Sequence, residues 1–204
     1  MNLFETKRLS NLAGFFFISG FSALIYQICW QRLLFTGIGV DLTSITVIVS
    51  VFMFGLGVGA FWGGRIADKF DKQIIIIFCI IEFFIGVFGL ISKSLILLIQ
   101  DFLVYSNLLK IASVSFVILL FPTFLMGSTL PLLTSFFNKH IGNVGESIGV
   151  LYFYNTLGAA FGALATGFIF FNYIGISNVI NIAATLNIII SFFVLINYGF
   201  YNDK

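Results

Sequence analysis

Six apolar stretches, each about 20 residues or longer, restrict the fold of this chain more than any other feature. A stretch of that length is what an α-helix needs to cross the hydrocarbon core of a bilayer. Charged residues make up 9 % of the 204 residues, whereas a soluble domain carries about a quarter. The sequence therefore predicts an all-α integral membrane protein, a single transmembrane domain over 1–204 without a soluble domain. The predicted spans are 9–35, 42–64, 74–92, 111–137, 148–171 and 177–198.

One further segment, 95–104, is apolar but short, and Asp101 interrupts it. It either extends the third span or lies along the membrane surface. We expect the extension, because the segment follows the third span almost directly.

Lysine and arginine are unevenly distributed between the two ends of the predicted helices. Membrane-protein loops rich in these residues stay on the cytoplasmic side. An even number of spans puts both termini on one side, and the bias predicts that this side is the cytoplasm. That side would hold Lys7, Arg8, Arg65, Lys69, Lys72, Lys139 and Lys204, and the other side Arg32, Lys93 and Lys110.

Glycines at steps of four recur in the second and fifth spans. They are Gly55, Gly59 and Gly63 in the second, and Gly158 and Gly162 in the fifth, where Thr166 continues the stripe. Small residues let membrane helices approach closely, so the stripes are either packing seams or the sliding surfaces of a transporter. Because the second and fifth spans are equivalent members of two groups of three, they also predict a 3+3 bundle, an arrangement common in secondary transporters.

The fourth span contains Pro122 and Pro131, the two prolines of the chain. A proline inside a helix removes a backbone donor and predicts a kink. Hydroxyls between them, such as that of Thr123, are expected to satisfy the carbonyls that the kinks free. The kinks either shape the helix to the bundle or form a hinge beside a binding site.

Glu82 lies in the middle of the third span. A carboxylate there costs a few kcal/mol unless it is protonated or partnered. Gly86 and Gly89 share its helix face, which predicts that Glu82 points into the bundle. It is either a cation or proton site, or a neutral acid that donates one hydrogen bond to a neighbouring helix.

Other polar side chains lie on three further spans. Gln27 and Gln31 are one turn apart in the first span, Asn155 heads the fifth-span stripe, and Asn187 and Ser191 share a face of the sixth. They either form interhelical hydrogen bonds or line a polar cavity for a small amine or other solute. The candidate substrate-binding residues are Glu82, Gln27, Gln31 and Asn155.

The predicted cytoplasmic connection after the second span is rich in glycine and charge. We expect Asp68 to pair with Arg65 or Lys69, or to accept from the start of the next helix. This connection resembles a loop signature of major facilitator transporters, although Asp71 stands where that signature has glycine. The matching or adjacent motif residues are Gly64, Arg65, Asp68, Lys69 and Lys72.

Five longer stretches together resemble one family. They are 19–34, 54–70, 80–90, 121–133 and 149–168. They are similar to the membrane region of bacterial spermidine synthase-like proteins, a major-facilitator-like region fused to an aminopropyltransferase domain. The resemblance covers nearly the whole chain. It implies the bacterial inner membrane and a connection with polyamines.

The chain departs from those fused proteins in its chemistry. Their catalytic domain needs a glycine-rich strand-to-helix turn and acidic residues for the amine substrates. The sequence has no such motif, no metal cluster and no catalytic set. We therefore expect no catalytic residue, no cofactor and no metal, and a net charge of +2 predicts no nucleic acid partner.

Three functions remain open from the sequence. In the first, the chain is a stand-alone membrane module that anchors or cooperates with a separate soluble aminopropyltransferase-like protein and handles a polyamine or small cation. Glu82 would then compensate the charge of the solute. In the second, the chain is a half-size transporter that works as a homodimer. In the third, it is a structural subunit of a membrane complex. In each case its main partner is the lipid bilayer.

Overall fold

The computed structural model describes residues 3–39, 41–103 and 105–198. The ends of the predicted ranges at Val104 and Lys204 lie outside these residues. The described chain forms long helices joined by short connections. They are α1 (Leu3–Ile38), α2 (Asp41–Lys69), α3 (Ile74–Phe102), α4 (Leu108–Ile141), α5 (Val144–Tyr173) and α6 (Ile176–Tyr198).

Six helices in the described ranges are long and apolar enough to cross a membrane, which confirms the predicted all-α multi-pass membrane protein. The helices run past the predicted span ends, because a helix satisfies its own backbone hydrogen bonds at any depth. The segment after residue 95 extends α3 as far as Phe102, as expected. The segment from Arg65 to Lys69 was expected in a loop, and this is wrong, since α2 ends only at Lys69.

The turns between helices use the residues that such turns favour. A 3₁₀ turn, Asp71–Gln73, leads into α3. Gly142, with a φ of 70°, ends α4 in the left-handed conformation that favours glycine. The Asn143 side chain then accepts a hydrogen bond from the backbone of Glu146 and caps α5.

Helix pairing follows a 3+3 pattern. The three most extensive interfaces join α2 with α4, α1 with α5, and α3 with α6. Exchanging α1 with α4, α2 with α5 and α3 with α6 maps this set of pairs onto itself. The contact of α1 with α6 also matches that of α4 with α3 in extent. The predicted organisation as two groups of three helices is therefore present in the packing.

The glycine stripes form the closest helix contacts. A Cβ atom on Gly59 of α2 would overlap the Phe124 carbonyl oxygen of α4. In the other half, a Cβ atom on Gly162 of α5 would overlap the Phe21 carbonyl oxygen of α1. Gly162 follows Gly59 by the same number of residues as Phe124 follows Phe21. The stripes are therefore equivalent packing seams of the two halves.

Pro122 and Pro131 lie inside α4, which is helical throughout from Leu108 to Ile141. Pro122 leaves the Ile118 carbonyl without its helical donor, because proline has no N–H group. The Thr123 hydroxyl donates to the Leu119 carbonyl at 2.9 Å and also reaches the next one along. The Thr123 hydroxyl was expected to satisfy the carbonyl that the proline frees, which is that of Ile118. This is wrong, because the hydroxyl bonds the Leu119 and Leu120 carbonyls instead.

One end of the bundle carries the α2–α3 connection and the start of α1. Lys139, near the end of α4, forms an ion pair with Asp71 at 2.7 Å. Tyr198, the last residue of α6, donates its hydroxyl to the Arg8 carbonyl at 2.9 Å. These contacts place both described chain ends on the same side, as six membrane crossings require.

Substitution of the seam glycines tests the two equivalent contacts. We expect Gly59→Ala and Gly162→Ala each to lower the free energy of unfolding by about 1–3 kcal/mol, because the added methyl meets backbone rather than a flexible side chain. Gly149→Ala, on the open surface of α5, is the matched control, since a Cβ atom added there would meet nothing within 4 Å. Thermal unfolding in detergent measures all three, and equal stability of the seam and control variants would contradict the assignment.

Candidate functional site

A cavity of about 350 Å³ lies in the middle of the bundle, mainly between α1, α2, α4 and α5. Most of its wall is apolar. Two of its lining residues on α2, Gly57 and Ala60, and Tyr152 on α5 are also exposed on the outer surface of the bundle. The cavity therefore opens sideways between α2 and α5. Its polar wall residues are Ser19, Gln27, Thr129, Asn155 and Asn187.

The Glu82 carboxyl group is fully buried where α1, α3 and α6 meet. The Ser19 hydroxyl donates to Oε1 at 2.6 Å, and the Asn187 amide nitrogen donates to Oε2 at 2.6 Å. Each carboxyl oxygen thus holds one donor from a different helix. Within the described part of the chain, Glu82 forms no ion pair.

Glu82 lies one layer behind the cavity wall. Ser19 and Asn187 line the cavity, Glu82 does not, and both of these residues donate a hydrogen bond to its carboxyl group. A solute in the cavity would therefore meet these two side chains first. The negative charge would act on it through them, rather than by the direct contact that the sequence led us to expect.

Asn187 carries an unsatisfied acceptor. Its amide nitrogen is used by Glu82, and its Oδ1 atom has no hydrogen-bond donor among the described residues. The side chain is 1 % exposed, so bulk solvent does not satisfy this atom. An unpaired buried acceptor costs about 1–3 kcal/mol, which a bound donor in the cavity would offset.

Close packing of α3 on α6 brings the amide to the carboxyl group. A Cβ atom on Gly86 would meet the Ala184 carbonyl oxygen and the Ile188 side chain of α6. Ala184 and Ile188 flank Asn187 on the same stretch of helix. Because Gly86 lies one turn after Glu82, the missing side chain allows α6 to approach within hydrogen-bond distance.

The other predicted site residues separate into two groups. Gln27 and Asn155 line the cavity, and the Asn155 amide donates to the Phe16 carbonyl at 3.2 Å. Gln31, one turn beyond Gln27, is partly exposed and does not line this cavity. Ser19 was not among the predicted site residues. The sequence feature that could have identified Ser19 is the four-residue step from Ser19 to Ala23 and on to Gln27. This step places all three on the face of α1 that lines the cavity.

Several polar groups form hydrogen bonds between helices without reaching the cavity. The Trp30 indole donates to the Ser92 hydroxyl at 3.0 Å, and the Ser191 hydroxyl donates to the Cys79 carbonyl at 2.7 Å. For these residues the interpretation as interhelical hydrogen bonds is sufficient. Tyr26, packed against Gly89, is buried with its hydroxyl unpaired among the described residues.

The charged motif at the end of α2 forms contacts other than those expected. The Arg65 guanidinium lies 4.0 Å from the centre of the Phe61 ring on the same helix. Asp68 is exposed and forms no ion pair with a described residue, so the expected pairing with Arg65 or Lys69 is wrong. In the described part of the chain, the carboxylate that forms an ion pair is that of Asp71, which binds Lys139.

Comparison of the chain with family models, curated proteins and solved structures finds no match. The class that the fold defines is a six-helix multi-pass membrane protein with a buried carboxyl group beside a central cavity.

Removal of one donor tests the environment of Glu82. We expect Ser19→Ala to lower the free energy of unfolding by about 1–3 kcal/mol, because one carboxyl oxygen loses its partner in a dry environment. Ser22→Ala is the matched control, since this buried serine on the same helix bonds only the Ile18 carbonyl of its own turn. Thermal unfolding of the two variants in detergent provides the comparison. Equal losses would show that Ser19 does not stabilise the carboxyl group.

Proposed function

We propose that this chain is the membrane module of a spermidine synthase-like system and binds a polyamine or similar small organic cation in its central cavity. The observation that carries the proposal is the Glu82 carboxyl group, buried beside the cavity with no ion-pair partner in the described chain. A carboxylate at membrane depth is costly without a compensating charge. A cation in the adjacent cavity would supply that charge.

The rest of the cavity also fits an alkylammonium ion. Asn187 Oδ1 is a free acceptor for an ammonium N–H group, and Gln27 and Thr129 add polar groups nearby. Side chains such as Leu24, Phe52 and Met126 provide apolar walls for a methylene chain. Alternating charged and methylene segments are the chemistry of a polyamine.

The proposed location is the bacterial inner membrane with both termini in the cytoplasm, supported by the uneven distribution of lysine and arginine. The end of α2, with Arg65 and Lys69, and the α2–α3 connection, with Lys72, would then face the cytoplasm. A separate soluble aminopropyltransferase-like enzyme would act at this face, anchored by the module or exchanging polyamine with it. This partner follows from the family resemblance.

Equilibrium binding of radiolabelled spermidine to the purified protein tests the proposal. We expect Glu82→Gln to weaken binding at least about tenfold, because it removes about 1.4 kcal/mol or more of charge compensation. Glu146→Gln is the matched control, since Glu146 is an exposed acid in the first turn of α5. Reconstitution into liposomes separates binding from transport. Absence of binding to folded wild-type protein would refute the proposal.

The sideways opening of the cavity supports a second candidate, a half-size transporter that works as a homodimer. The opening lies between α2 and α5, whose outer surfaces include the exposed aromatic side chains of Phe61, Tyr152 and Phe153. A second copy facing this side would complete the cavity wall. The polar wall residues would then be separated from lipid.

Cross-linking tests this dimer. Thr156→Cys places a thiol on the exposed surface of α5 beside the opening, and Thr185→Cys places one on the exposed surface of α6 as the control. Cys29 and Cys79 are buried and should not react with a bismaleimide. We expect a cross-linked dimer in membranes for residue 156 and not for residue 185. The opposite pattern would exclude a dimer formed through this face.

A further inference from the structure

The Asn187 amide connects the buried carboxyl group to the cavity. Its nitrogen donates to Glu82 Oε2 at 2.6 Å, while its Oδ1 atom is without a donor in the described chain. With the amide reversed, Oδ1 would face an ionised carboxylate oxygen, and two acceptors would oppose each other. An ionised Glu82 therefore fixes the amide with its nitrogen on the carboxylate, which leaves Oδ1, a buried acceptor on a residue that lines the cavity, without a donor.

An acceptor of this kind, backed by a negative charge, favours donors that carry a positive charge. The carboxylate polarises the amide, which strengthens hydrogen bonding at its far end. We propose that the cavity binds a protonated primary amine through Asn187 Oδ1 and exchanges it for a proton on Glu82. The inference rests on the proposed function, since it requires the cavity to bind an organic cation.

The exchange follows from charge balance. In the empty cavity the carboxylate has two neutral donors, Ser19 and Asn187, and no cation, so a proton neutralises it. Binding of the ammonium ion favours the ionised form. The O–H bond of the Glu82 carboxyl group breaks, the proton passes to water, and the ammonium ion compensates the carboxylate. A neutral Glu82 in turn leaves a bound cation without compensation, so proton and amine exclude each other.

Glu82 is the group that titrates in this exchange. Among the described residues, the other ionisable groups that interact with it are the Tyr26 phenol on α1 and the Cys79 thiol on α3. Both types of group are ordinarily neutral at the pH where carboxyl groups lose their protons. The α6 residues that face this region, Asn187 and Ser191, do not ionise.

Calorimetry of butylamine binding to the purified full chain tests the exchange. Titrations at the same pH, in buffers of different ionisation enthalpy, count the protons released per amine bound. As the pH is raised over a range from acidic to alkaline, we expect release to fall from about one proton towards zero, because the empty site becomes ionised. Butanol, which is neutral, should bind without release.

Two variants test whether binding needs the negative charge itself or needs it at the position of Glu82. Glu82→Gln should remove proton release and weaken butylamine binding at least about tenfold. The double variant Glu82→Gln with Asn187→Asp exchanges the acid and the amide, keeps both groups at the site, and should recover binding together with proton release. Ser191→Ala, one turn from Asn187 and away from the cavity, is the control and should behave as wild type.

The outcomes separate the two proposals. Butylamine binding without proton release at any pH in the range would overturn the exchange and leave the proposed cation binding intact. Absence of binding by folded wild-type protein would overturn both. Unchanged affinity and proton release in Glu82→Gln would assign the exchange to another group and refute Glu82 as the titrating residue.

Discussion

Close contact between helix backbones at glycine is the interaction on which the rest of this structure depends. Lipid provides no hydrophobic force that brings membrane helices together, so packing and interhelical hydrogen bonds must do so. At Gly59 and Gly162 the absence of a side chain lets one helix rest on a carbonyl group of the next. Gly86 does the same between α3 and α6, and this third contact brings the Asn187 amide to the Glu82 carboxyl group.

The same pairing explains why the cavity opens on one side. Because α2 packs on α4 and α5 packs on α1, the most extensive contacts of α2 and α5 are made with other helices, not with each other. The space between α2 and α5 is therefore left to whatever lies outside the bundle. Polar residues such as Gln27 and Asn155 line the cavity that this space opens into. The site and its entrance are thus consequences of one packing scheme.

The sequence was sufficient for the features that depend on length and spacing. Apolar length predicts the six helices, and Gly86 and Gly89 predict the burial of Glu82. It was insufficient where tertiary geometry decides. Gln27 and Gln31 have the same type and nearly the same face, yet only Gln27 reaches the cavity.

Two further features were not predicted. Ser19 gave a weak signal because serine is common in membrane helices, and its role depends on the approach of α3 to α1. Residues Ala165–Phe170 of α5 form a π-helical turn, which adds a residue per turn and has no distinctive sequence pattern. The first of these features arises from a contact between helices, which a single helix does not contain.

The two halves of the bundle differ where they meet. The symmetry that relates the halves exchanges α3 with α6, so it maps the α3–α6 pair onto itself. Across this pair, α3 contributes Glu82 and α6 contributes Asn187. Two acids at this place would repel each other in a dry environment, and two amides would carry no charge. One acid with one amide gives a charge held by a donor, with an acceptor left over for a third group. The two halves of the bundle therefore contribute different groups, an acid and an amide, to the contact between α3 and α6.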